Sequence, residues 1–485
     1  MNKTYEDIAA KKLIIQMGDE KLQAQQKKDG KLTARERAAK LLDAGSFVEM
    51  DALAASGALT GYGTVQGRPV YLFAQDFTCR GGAMNETQAK KILKVLDLAR
   101  KNGAPVVAML DTEGICLDEG IAPLTGYARV LAQMARMSGV CPMIALVLGK
   151  CIGIPALMCE IADIAIMAKD VGALAAFGPQ VLASANGTEV DLKKSAGAET
   201  MAAQGAVSLV ADNEEEAFAL LKTALDLLPS SNLEDADIVD ADDMNRSTAA
   251  VDADDAYALL NELFDNGSFL ELGALYGKAM VTALGRMGGR TVAVVATNKK
   301  AAPLLCKKSL KKAARFVRMA DCYHIPVITL ANTAGLKVPC AEKQQALLAA
   351  SAALVYAYAE ATTAKMTVVT GDAIGQAYVL LCGGMADISY AWPNATVSAL
   401  EADAAAQLLM KTELDKSKED ASVALEDVAK KYAAEQASAL AAAEKGLVDD
   451  VIDPDMTRQL LIANLEMLSS KRDASFPKKH GNLPL

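Results

Sequence analysis

Two short glycine-containing stretches have residue types that could stabilise a reaction intermediate. Gly149-Lys150-Cys151-Ile152-Gly153 follows the apolar run 143–148, and Gly371-Asp372-Ala373-Ile374-Gly375 follows the apolar run 366–369. Each pattern predicts a buried strand, a glycine turn and the start of a helix. Backbone N–H groups at a helix start have no partner within the helix, so they can bind negative charge that develops on a carbonyl oxygen. A single copy would favour a tight corner without chemistry, whereas two copies in matching register favour a function.

The same register recurs over much of each half of the chain. A shift of 222 residues takes Gly149 and Gly153 to Gly371 and Gly375. Other motifs repeat at shifts of 222 or 221 residues: Gly45-Ser46-Phe47 with Gly267-Ser268-Phe269, Gly67-Arg68 with Gly289-Arg290, Lys90-Lys91 with Lys311-Lys312, and Thr112 and Gly114 with Thr333 and Gly335. We interpret the chain as an internal duplication.

The duplication and the order of the elements predict an α/β protein with two domains. By length alone, 485 residues would suggest about three domains, but two copies favour two domains of roughly 220 residues each. Strands that alternate with helices indicate crossover connections and a layered α/β fold. The predicted domains are residues 1–231 and 255–485, joined by an acidic linker at 232–254. The acidic spacing in this linker does not fit a calcium-binding loop.

The N-terminal region predicts two helices before the first strands. A polar amphipathic pattern covers residues 5–28, and Thr33-Ala34-Arg35-Glu36 is a capping box that starts a second helix ending before Gly45. Strands are predicted at 59–65 and 69–75, on either side of a turn.

Composition narrows the classes of function. A net charge of −10 argues against nucleic-acid binding, which requires a basic face. Nine cysteines without a Cys-x-x-Cys pair are typical of reduced thiols in the cytoplasm. The charged N-terminus does not resemble a signal peptide, and the most apolar region, 141–168, contains charged residues that make it too short to span a bilayer. We therefore expect a cytoplasmic protein.

The sequence contains few histidines for histidine-based catalysis or metal binding. His324, at the start of a predicted strand, and His480, near the C-terminus, are its two histidines. A Ser-His-Asp or Cys-His mechanism, or a histidine-rich metal site, would need more. We predict no metal site, and we expect the chemistry to rest on backbone donors and bound cofactors.

Several longer motifs are specific enough to compare with known families. They are residues 31–37 (KLTARER), 67–78 (GRPVYLFAQDFT), 312–318 (KAARFVR), 356–362 (YAYAEAT), 390–393 (YAWP) and 477–482 (PKKHGN). Together they resemble the acyl-CoA carboxyltransferase family, the carboxyltransferase subunits or β chains of propionyl-CoA carboxylase-like enzymes. The resemblance extends over nearly the whole chain and implies two tandem crotonase-like domains, in agreement with the duplication.

The resemblance also implies a reaction and a site. Members of this family move CO₂ between carboxybiotin, held by a biotin carboxyl carrier protein, and the α-carbon of an acyl-CoA. Two reactants whose oxygens both gain charge need two oxyanion holes, which a duplicated domain can supply. By resemblance the thioester hole is formed by the N–H groups of Gly153 and Ile154, and the biotin hole by those of Gln376 and Ala377. Further residues are expected to contact substrate: Thr112, Glu113, Gly114, Gly149, Gly335, Gly375 and Val379.

The chain departs from the usual family pattern at these positions. Ile154 stands where the family has a glycine, and Pro155, which has no N–H, stands where the family has an alanine. The loop that commonly reads Asp-Ser-Gly-Gly-Ala-Arg is Asp111-Thr112-Glu113-Gly114-Ile115-Cys116. Gln376 replaces a glycine, and Val379 replaces an acidic residue near the acyl pocket.

Three functions fit the sequence. The first is a carboxyltransferase subunit for a small acyl-CoA that works with a separate biotin carboxylase and carrier, since no Ala-Met-Lys-Met biotin-attachment motif or ATP-binding loop occurs. The second takes the carboxyl group from a malonyl-, methylmalonyl- or glutaconyl-type CoA onto biotin and feeds a membrane decarboxylase subunit. The third is a scaffold that has lost turnover.

The resemblance also predicts how the protein assembles. It implies a hexamer in which the first domain of one subunit faces the second domain of its neighbour. The apolar segment 346–359 could form part of that interface, or it could be ordinary core.

Overall fold

The computed structural model describes residues 3–54, 56–381, 383–410, 420–474 and 477–482. The chain divides into two compact units, residues 1–236 and 237–485. Each unit contains one mixed sheet. Within the described ranges, no helix is both long and apolar enough to cross a membrane.

The first unit alternates strands and helices after an all-helical start. Its helices are α1 (Lys3–Met17), α2 (Glu20–Lys28), α3 (Ala34–Leu41), α4 (Glu86–Asn102), α5 (Ala122–Met137), α6 (Ala156–Ile161), α7 (Pro179–Asn186), α8 (Leu192–Ala196), α9 (Ala198–Gln204) and α10 (Glu214–Leu227). Its strands are β1 (Val48–Glu49), β2 (Ala58–Val65), β3 (Arg68–Gln75), β4 (Val106–Thr112), β5 (Met143–Ile152), β6 (Ile164–Ala168), β7 (Ala173–Ala175) and β8 (Leu209–Ala211).

The sheet of the first unit has the order β1-β2-β3-β4-β5-β6-β8. The strands from β1 to β3 are antiparallel, and those from β3 to β8 are parallel. The two halves of β5 have different neighbours: residues 144–147 pair with β6, and residues 150–152 pair with β7. The central strands β4 and β5 are almost continuously buried, as expected for parallel strands covered on both faces.

The second unit repeats this order of elements. Its helices are α11 (Ala256–Leu263), α12 (Lys307–Cys322), α13 (Gln344–Glu360), α14 (Gln376–Leu380), α15 (Ala402–Leu409), α16 (Asp420–Gln436), α17 (Ala439–Glu444) and α18 (Thr457–Leu468). Its strands are β9 (Leu270–Glu271), β10 (Met280–Met287), β11 (Arg290–Thr297), β12 (Val327–Thr333), β13 (Lys365–Ile374), β14 (Ile388–Ala391), β15 (Thr396–Ser398) and β16 (Asp450–Val451).

The second sheet has the same connections as the first. Its order is β9-β10-β11-β12-β13-β14-β16, and β15 pairs with the far half of β13. The pairing register between the two central strands shifts at equivalent places, after Leu110 in the first unit and after Ala331 in the second. The predicted α/β fold with two tandem copies is therefore confirmed.

A carboxylate at each hairpin turn explains part of the repeated sequence. Asp43 Oδ2 accepts the N–H of Gly67 at 2.9 Å, and Asp265 Oδ2 accepts the N–H of Gly289 at 2.7 Å. Both glycines have a positive φ, +80° and +77°, a conformation that glycine adopts without strain. The repeated glycines thus close the turns β2–β3 and β10–β11.

A buried lysine is also duplicated. Lys91 Nζ on α4 donates to the carbonyl oxygen of Ala58 at 2.7 Å, and Lys312 Nζ on α12 donates to that of Met280 at 2.8 Å. Each lysine ties a helix to the first long strand of its unit. Burial lowers the pKa of both lysines, that of Lys312 to about 8, because a low-dielectric environment disfavours the charged form.

The start of the chain differs in one respect from the prediction. The single helix expected over residues 5–28 is two helices, separated by Gly18 with φ +62° and by Asp19, whose carboxylate caps α2. The predicted capping box is confirmed, since Thr33 Oγ1 accepts the N–H of Glu36 and Glu36 accepts the N–H of Thr33.

Part of the acidic segment predicted as a linker is hydrogen-bonded to arginines of the second unit. Arg286 Nη1 donates to the carbonyl oxygen of Asp237 at 2.7 Å, and Arg458 Nε donates to that of Asp243 at 2.9 Å. These arginines bind main-chain carbonyl oxygens of the segment, and most of its side chains are exposed. The boundary between the units, at 236/237, lies inside the predicted linker.

Candidate active site

The first glycine turn lies where β5 ends. β5 continues to Ile152, beyond its predicted end, so only residues 153–155 separate it from α6. Gly153 has φ +78°, and its N–H donates to the carbonyl oxygen of Ala175 at 2.8 Å. The turn is therefore shorter than predicted, and Gly149 belongs to the strand.

Ile154 supplies the free donor of this turn. Its backbone N–H has no hydrogen-bond partner among the residues that the structure describes. The N–H of Gly153, which was predicted to donate to a ligand, is bound to the carbonyl oxygen of Ala175. Pro155 has no N–H, so one backbone donor remains.

The second glycine turn offers two donors. β13 ends at Ile374, and α14 begins at Gln376. Gly375 has φ +59°, and its N–H donates to the carbonyl oxygen of Ser398 at 2.8 Å. The N–H groups of Gln376 and Ala377 have no partner within the described part of the chain, as expected for the first turn of a helix.

The loops predicted to contact substrate lie against these turns. Gly114 and Gly335 follow the ends of β4 and β12 and have φ values of +115° and +127°. A Cβ at Gly114 would lie 3.2 Å from the carbonyl oxygen of Ile152, and one at Gly335 would lie 3.8 Å from that of Ile374. The fold therefore brings loop and turn together in each unit, at the carboxyl ends of parallel strands, where α/β proteins commonly bind ligands.

The residues of the first loop have different surroundings. The buried hydroxyl of Thr112 accepts the N–H of Gly114 at 3.0 Å, so it shapes the loop from inside. Glu113 is exposed, and its Oε1 lies 2.8 Å from Lys150 Nζ. Of these two predicted contact residues, Glu113 is the one open to solvent.

Gly149 and Val379 are the remaining predicted contact residues. A Cβ at Gly149 would lie 2.0 Å from Asp111 Oδ1, so this glycine makes room for a buried carboxylate and is not part of the turn. Val379 lies on α14, three residues after Gln376, and its side chain is half-exposed.

A buried charge network supports the first turn. Arg37 Nη1 lies 3.0 Å from Asp111 Oδ2, and Arg37 Nη2 lies 2.7 Å from Glu214 Oε1. The same Nη2 donates to the carbonyl oxygen of Leu148 in β5 at 2.6 Å. Lys31 Nζ contacts both Asp111 oxygens, at 2.9 and 3.0 Å. The network thus fixes the strand that leads into the turn.

The pKa of Arg37 reflects this environment. Burial alone would lower it, but the hydrogen bond to Glu214 and the charge of Asp111 raise the pKa above its ordinary value. The guanidinium therefore stays charged in the interior, because its partners compensate for the lost hydration.

The second unit replaces this network with a smaller one. Asn332 occupies the place of Asp111, and its Nδ2 donates to the carbonyl oxygen of Ala253 and to Asp254 Oδ1 at 2.9 and 2.8 Å. A Cβ at Gly371 would lie 2.3 Å from Asn332 Oδ1. The side chain of Lys299 lies 2.9 Å from Asp372, beside the second turn.

The arrangement suits reactions that pass through an oxyanion. A free N–H at a strand-to-helix turn can bind an oxygen that gains negative charge, and one such donor typically lowers a barrier by about 3–4 kcal/mol. Among the described residues, no group of three or more His, Cys, Asp or Glu side chains is placed to hold a metal ion.

Comparison with known proteins identifies the family. The family model of the carboxyl transferase domain matches residues 25–483. The chain belongs to the carboxyl transferase family. The α subunit of methylmalonyl-CoA decarboxylase from Veillonella parvula is 36% identical, over 96% of either chain. The propionyl-CoA carboxylase β chain of Saccharopolyspora erythraea is 35% identical, over 97% of this chain and 94% of its own.

A solved structure shows the same architecture over almost the whole carboxyltransferase. It is the transcarboxylase 12S hexamer with methylmalonyl-coenzyme A and methylmalonic acid bound. It has a TM-score of 0.96 and 33% identity, and the match covers 99% of this chain and 98% of the other. The predicted resemblance and the two crotonase-like domains are thus confirmed.

Sequence reasoning did not find the buried network of the carboxyltransferase. Lys31 and Arg37 belong to one sequence motif and Asp111 to a predicted loop, and their spacing does not indicate that Asp111 is their common partner. Gly149 is the residue that could have indicated this network, because a glycine inside a strand often marks a place where another group approaches closely. That group is the Asp111 carboxylate.

Proposed function

We propose that this chain is the carboxyltransferase subunit of a biotin-dependent enzyme. It moves a carboxyl group between biotin on a separate carrier protein and the α-carbon of a small acyl-CoA. One observation carries the proposal: two equivalent turns of a duplicated fold each present unbound backbone N–H groups, at Ile154 and at Gln376 and Ala377. Two reactants that each develop an oxyanion need two such sites.

The turn at Ile154 is assigned to the thioester. Removal of a proton or a carboxyl group from the α-carbon leaves charge that the thioester oxygen carries as an enolate. The N–H of Ile154 would bind that oxygen, and the buried pair Arg37–Asp111 would keep β5 and the turn in place. Preorganised donors of this kind stabilise the transition state without reorganisation.

The turn at Gln376 is assigned to biotin. When bound there, biotin supplies a ring nitrogen that can accept or release a carboxyl group. Neutral N–H donors fit its ureido oxygen, which gains charge when that nitrogen is free. Gln376 and Ala377 supply two such donors at the start of α14. The biotin site can therefore donate two hydrogen bonds, whereas the turn at Ile154 can donate one.

The proposal includes assembly into a hexamer of this chain, with the first unit of one copy facing the second unit of another. Large apolar side chains are exposed on the segments that follow β4 and β12, Leu117 and Ile121 in the first unit and Val338 and Leu348 in the second. A solved relative, transcarboxylase 12S, assembles as a hexamer. A second copy would cover these side chains and bring the two kinds of turn together.

The predicted interface helix supports only part of this assembly. In α13 (Gln344–Glu360), Leu354 and Tyr358 are core residues, whereas Leu348 is exposed. One side of the helix therefore belongs to the core of the second unit, and its N-terminal part is the portion available to a neighbour.

Both directions of transfer fall within the proposal. The oxyanion sites that stabilise carboxylation also stabilise its reverse. Relatives of similar identity are named as a carboxylase chain and as a decarboxylase subunit. The remaining partners would be a biotin carrier with either a biotin carboxylase or a membrane decarboxylase subunit. The described cysteines are all free thiols, which is compatible with the expected cytoplasmic location.

A transfer assay with free biotin tests the proposal. The purified chain is incubated with a panel of malonyl-type CoA esters, with and without biotin, and loss of the CoA-bound carboxyl group is followed. We expect biotin-dependent loss with at least one ester. Binding of esters without transfer under any condition would favour the scaffold, and absence of all CoA-ester binding would contradict the proposal outright.

A further inference from the structure

An exposed ion pair stands beside the first turn. Lys150 Nζ lies 2.8 Å from Glu113 Oε1, at the carboxyl ends of the adjacent strands β5 and β4. Glu113 precedes Gly114, whose Cβ position lies 3.2 Å from the carbonyl oxygen of Ile152. The pair therefore flanks the turn that presents the N–H of Ile154.

Breaking the ion pair between Lys150 and Glu113 costs the protein little stability. The side chains of Lys150 and Glu113 are 47% and 52% exposed, and ion pairs in such positions contribute little to stability because solvent screens their charges. The nearby Lys31 is different, because it is buried, bound by both oxygens of Asp111 and stacked 3.9 Å from the Phe77 ring centroid. Lys150 is thus an exposed cation at this edge that can take a new anionic partner.

The second unit has the opposite charge at the equivalent place. The shift of 222 residues takes Lys150 to Asp372, and the shift of 221 takes Glu113 to Ala334. Asp372 is paired with Lys299 at 2.9 Å. The fold accepts either sign at this position, so the cation in the first unit is not a requirement of the architecture.

We propose that Lys150 determines substrate specificity by binding the free carboxylate of a carboxyacyl-CoA, with Glu113 holding its ammonium until the ligand arrives. The inference rests on the proposed function and assigns to Lys150 the discrimination between carboxylated and uncarboxylated esters at its thioester site. A charge-assisted hydrogen bond between ammonium and carboxylate supplies the discrimination. Uncharged acyl-CoA esters gain nothing from Lys150.

Binding constants of matched esters test this role. Calorimetry compares methylmalonyl-CoA with propionyl-CoA, which lacks the carboxylate. We expect Lys150→Gln to weaken methylmalonyl-CoA binding about 10-fold and propionyl-CoA binding less than about 2-fold. Lys150→Arg should preserve the preference, and Glu113→Gln should tighten only the carboxyacyl ester. Lys40→Gln is the matched control, because Lys40 forms another exposed pair of this unit, with Glu215.

Pantetheine thioesters separate the two sources of negative charge, since they lack the nucleotide phosphates. The proposal requires the loss in Lys150→Gln to persist with methylmalonyl-pantetheine. Equal losses for both CoA esters that vanish with the pantetheine esters would assign Lys150 to the phosphates and overturn it. Unchanged affinities would also overturn it. A wild-type chain that binds no CoA ester would contradict the proposed function itself. CoA-ester binding that is the same in the wild type and in Lys150→Gln would contradict only this inference.

Discussion

Gly149 lies directly against the carboxylate of Asp111, so closely that a Cβ at this glycine would be 2.0 Å from Oδ1. The relationship recurs between Gly371 and Asn332, at 2.3 Å. In both units the first glycine of the repeated motif makes space for a buried polar side chain from the neighbouring strand. The second glycine makes the turn.

We expect Gly149→Ala to destabilise the protein by about 1–3 kcal/mol or more. The added methyl group would overlap a carboxylate that cannot move without leaving Arg37. Gly178→Ala is the control, because the nearest atoms to its Cβ position lie at 3.7 Å. Urea unfolding followed by circular dichroism compares the two. Equal stability of both variants would show that Asp111 is not fixed.

Asp111→Asn should be strongly destabilising although Asn332 occupies the same place in the second unit. The substitution leaves the buried Lys31 without its carboxylate partner and Arg37 with Glu214 alone, and breaking a buried pair typically costs about 3–5 kcal/mol. Glu113→Gln, two residues away on an exposed pair, should cost less than about 1 kcal/mol. Thermal unfolding of both variants checks this, and a small effect at Asp111 would contradict the role of the network.

The duplicated lysine on α12 predicts a dependence of stability on pH. The pKa of Lys312 is lowered by burial from 10.5 to about 8, so between these values the unfolded chain binds more protons than the folded chain. Stability therefore rises with pH in this window, by about 3 kcal/mol in total. The free-energy cost of burying the protonated Lys312 is fully present below pH 8.

The comparison uses Lys312→Met, which lacks the titrating group, and Lys311→Met, its exposed neighbour on the same helix. Fluorescence of Trp392, the single tryptophan, follows urea unfolding from pH 7.5 to 10.5. The wild-type protein and Lys311→Met should gain stability relative to Lys312→Met. Parallel pH profiles for all three would contradict the lowered pKa of the buried Lys312.

Val379 should influence the choice of acyl chain. Val379→Asp places a carboxylate on the half-exposed face of α14, so we expect altered ratios of kcat/KM among acyl-CoA chain lengths with little loss of stability. Leu440→Asp, at another exposed apolar position of the second unit, is the control. Unchanged ratios for Val379→Asp would remove this residue from the acyl site.

The sequence was most informative where a residue's role is local or repeated. The register of Gly153 with Gly375 predicted two copies of one fold, and Thr33 with Glu36 predicted a cap, because both depend on short-range geometry. Contacts across the sheet were not predictable in this way. That Ala175 takes the N–H of Gly153 depends on β7 returning to β5, which spacing along the chain does not show.

The two-site account predicts that one donor of the second turn can be removed without disturbing the first. Ala377→Pro deletes an N–H at the start of α14, where proline is best tolerated. The equivalent position of the first turn is already a proline, Pro155. The fold therefore has a precedent for this residue, and Ala377→Gly, which keeps the N–H, is the matched control.

The rate of carboxyl transfer to free biotin by Ala377→Pro, measured beside its affinity for the CoA ester and its melting temperature, is the most direct test. We expect near-normal ester affinity and folding, with transfer slower by about 10²–10³-fold, while Ala377→Gly retains most of the rate. A folded Ala377→Pro variant with full transfer activity would contradict the assignment of the second turn to biotin.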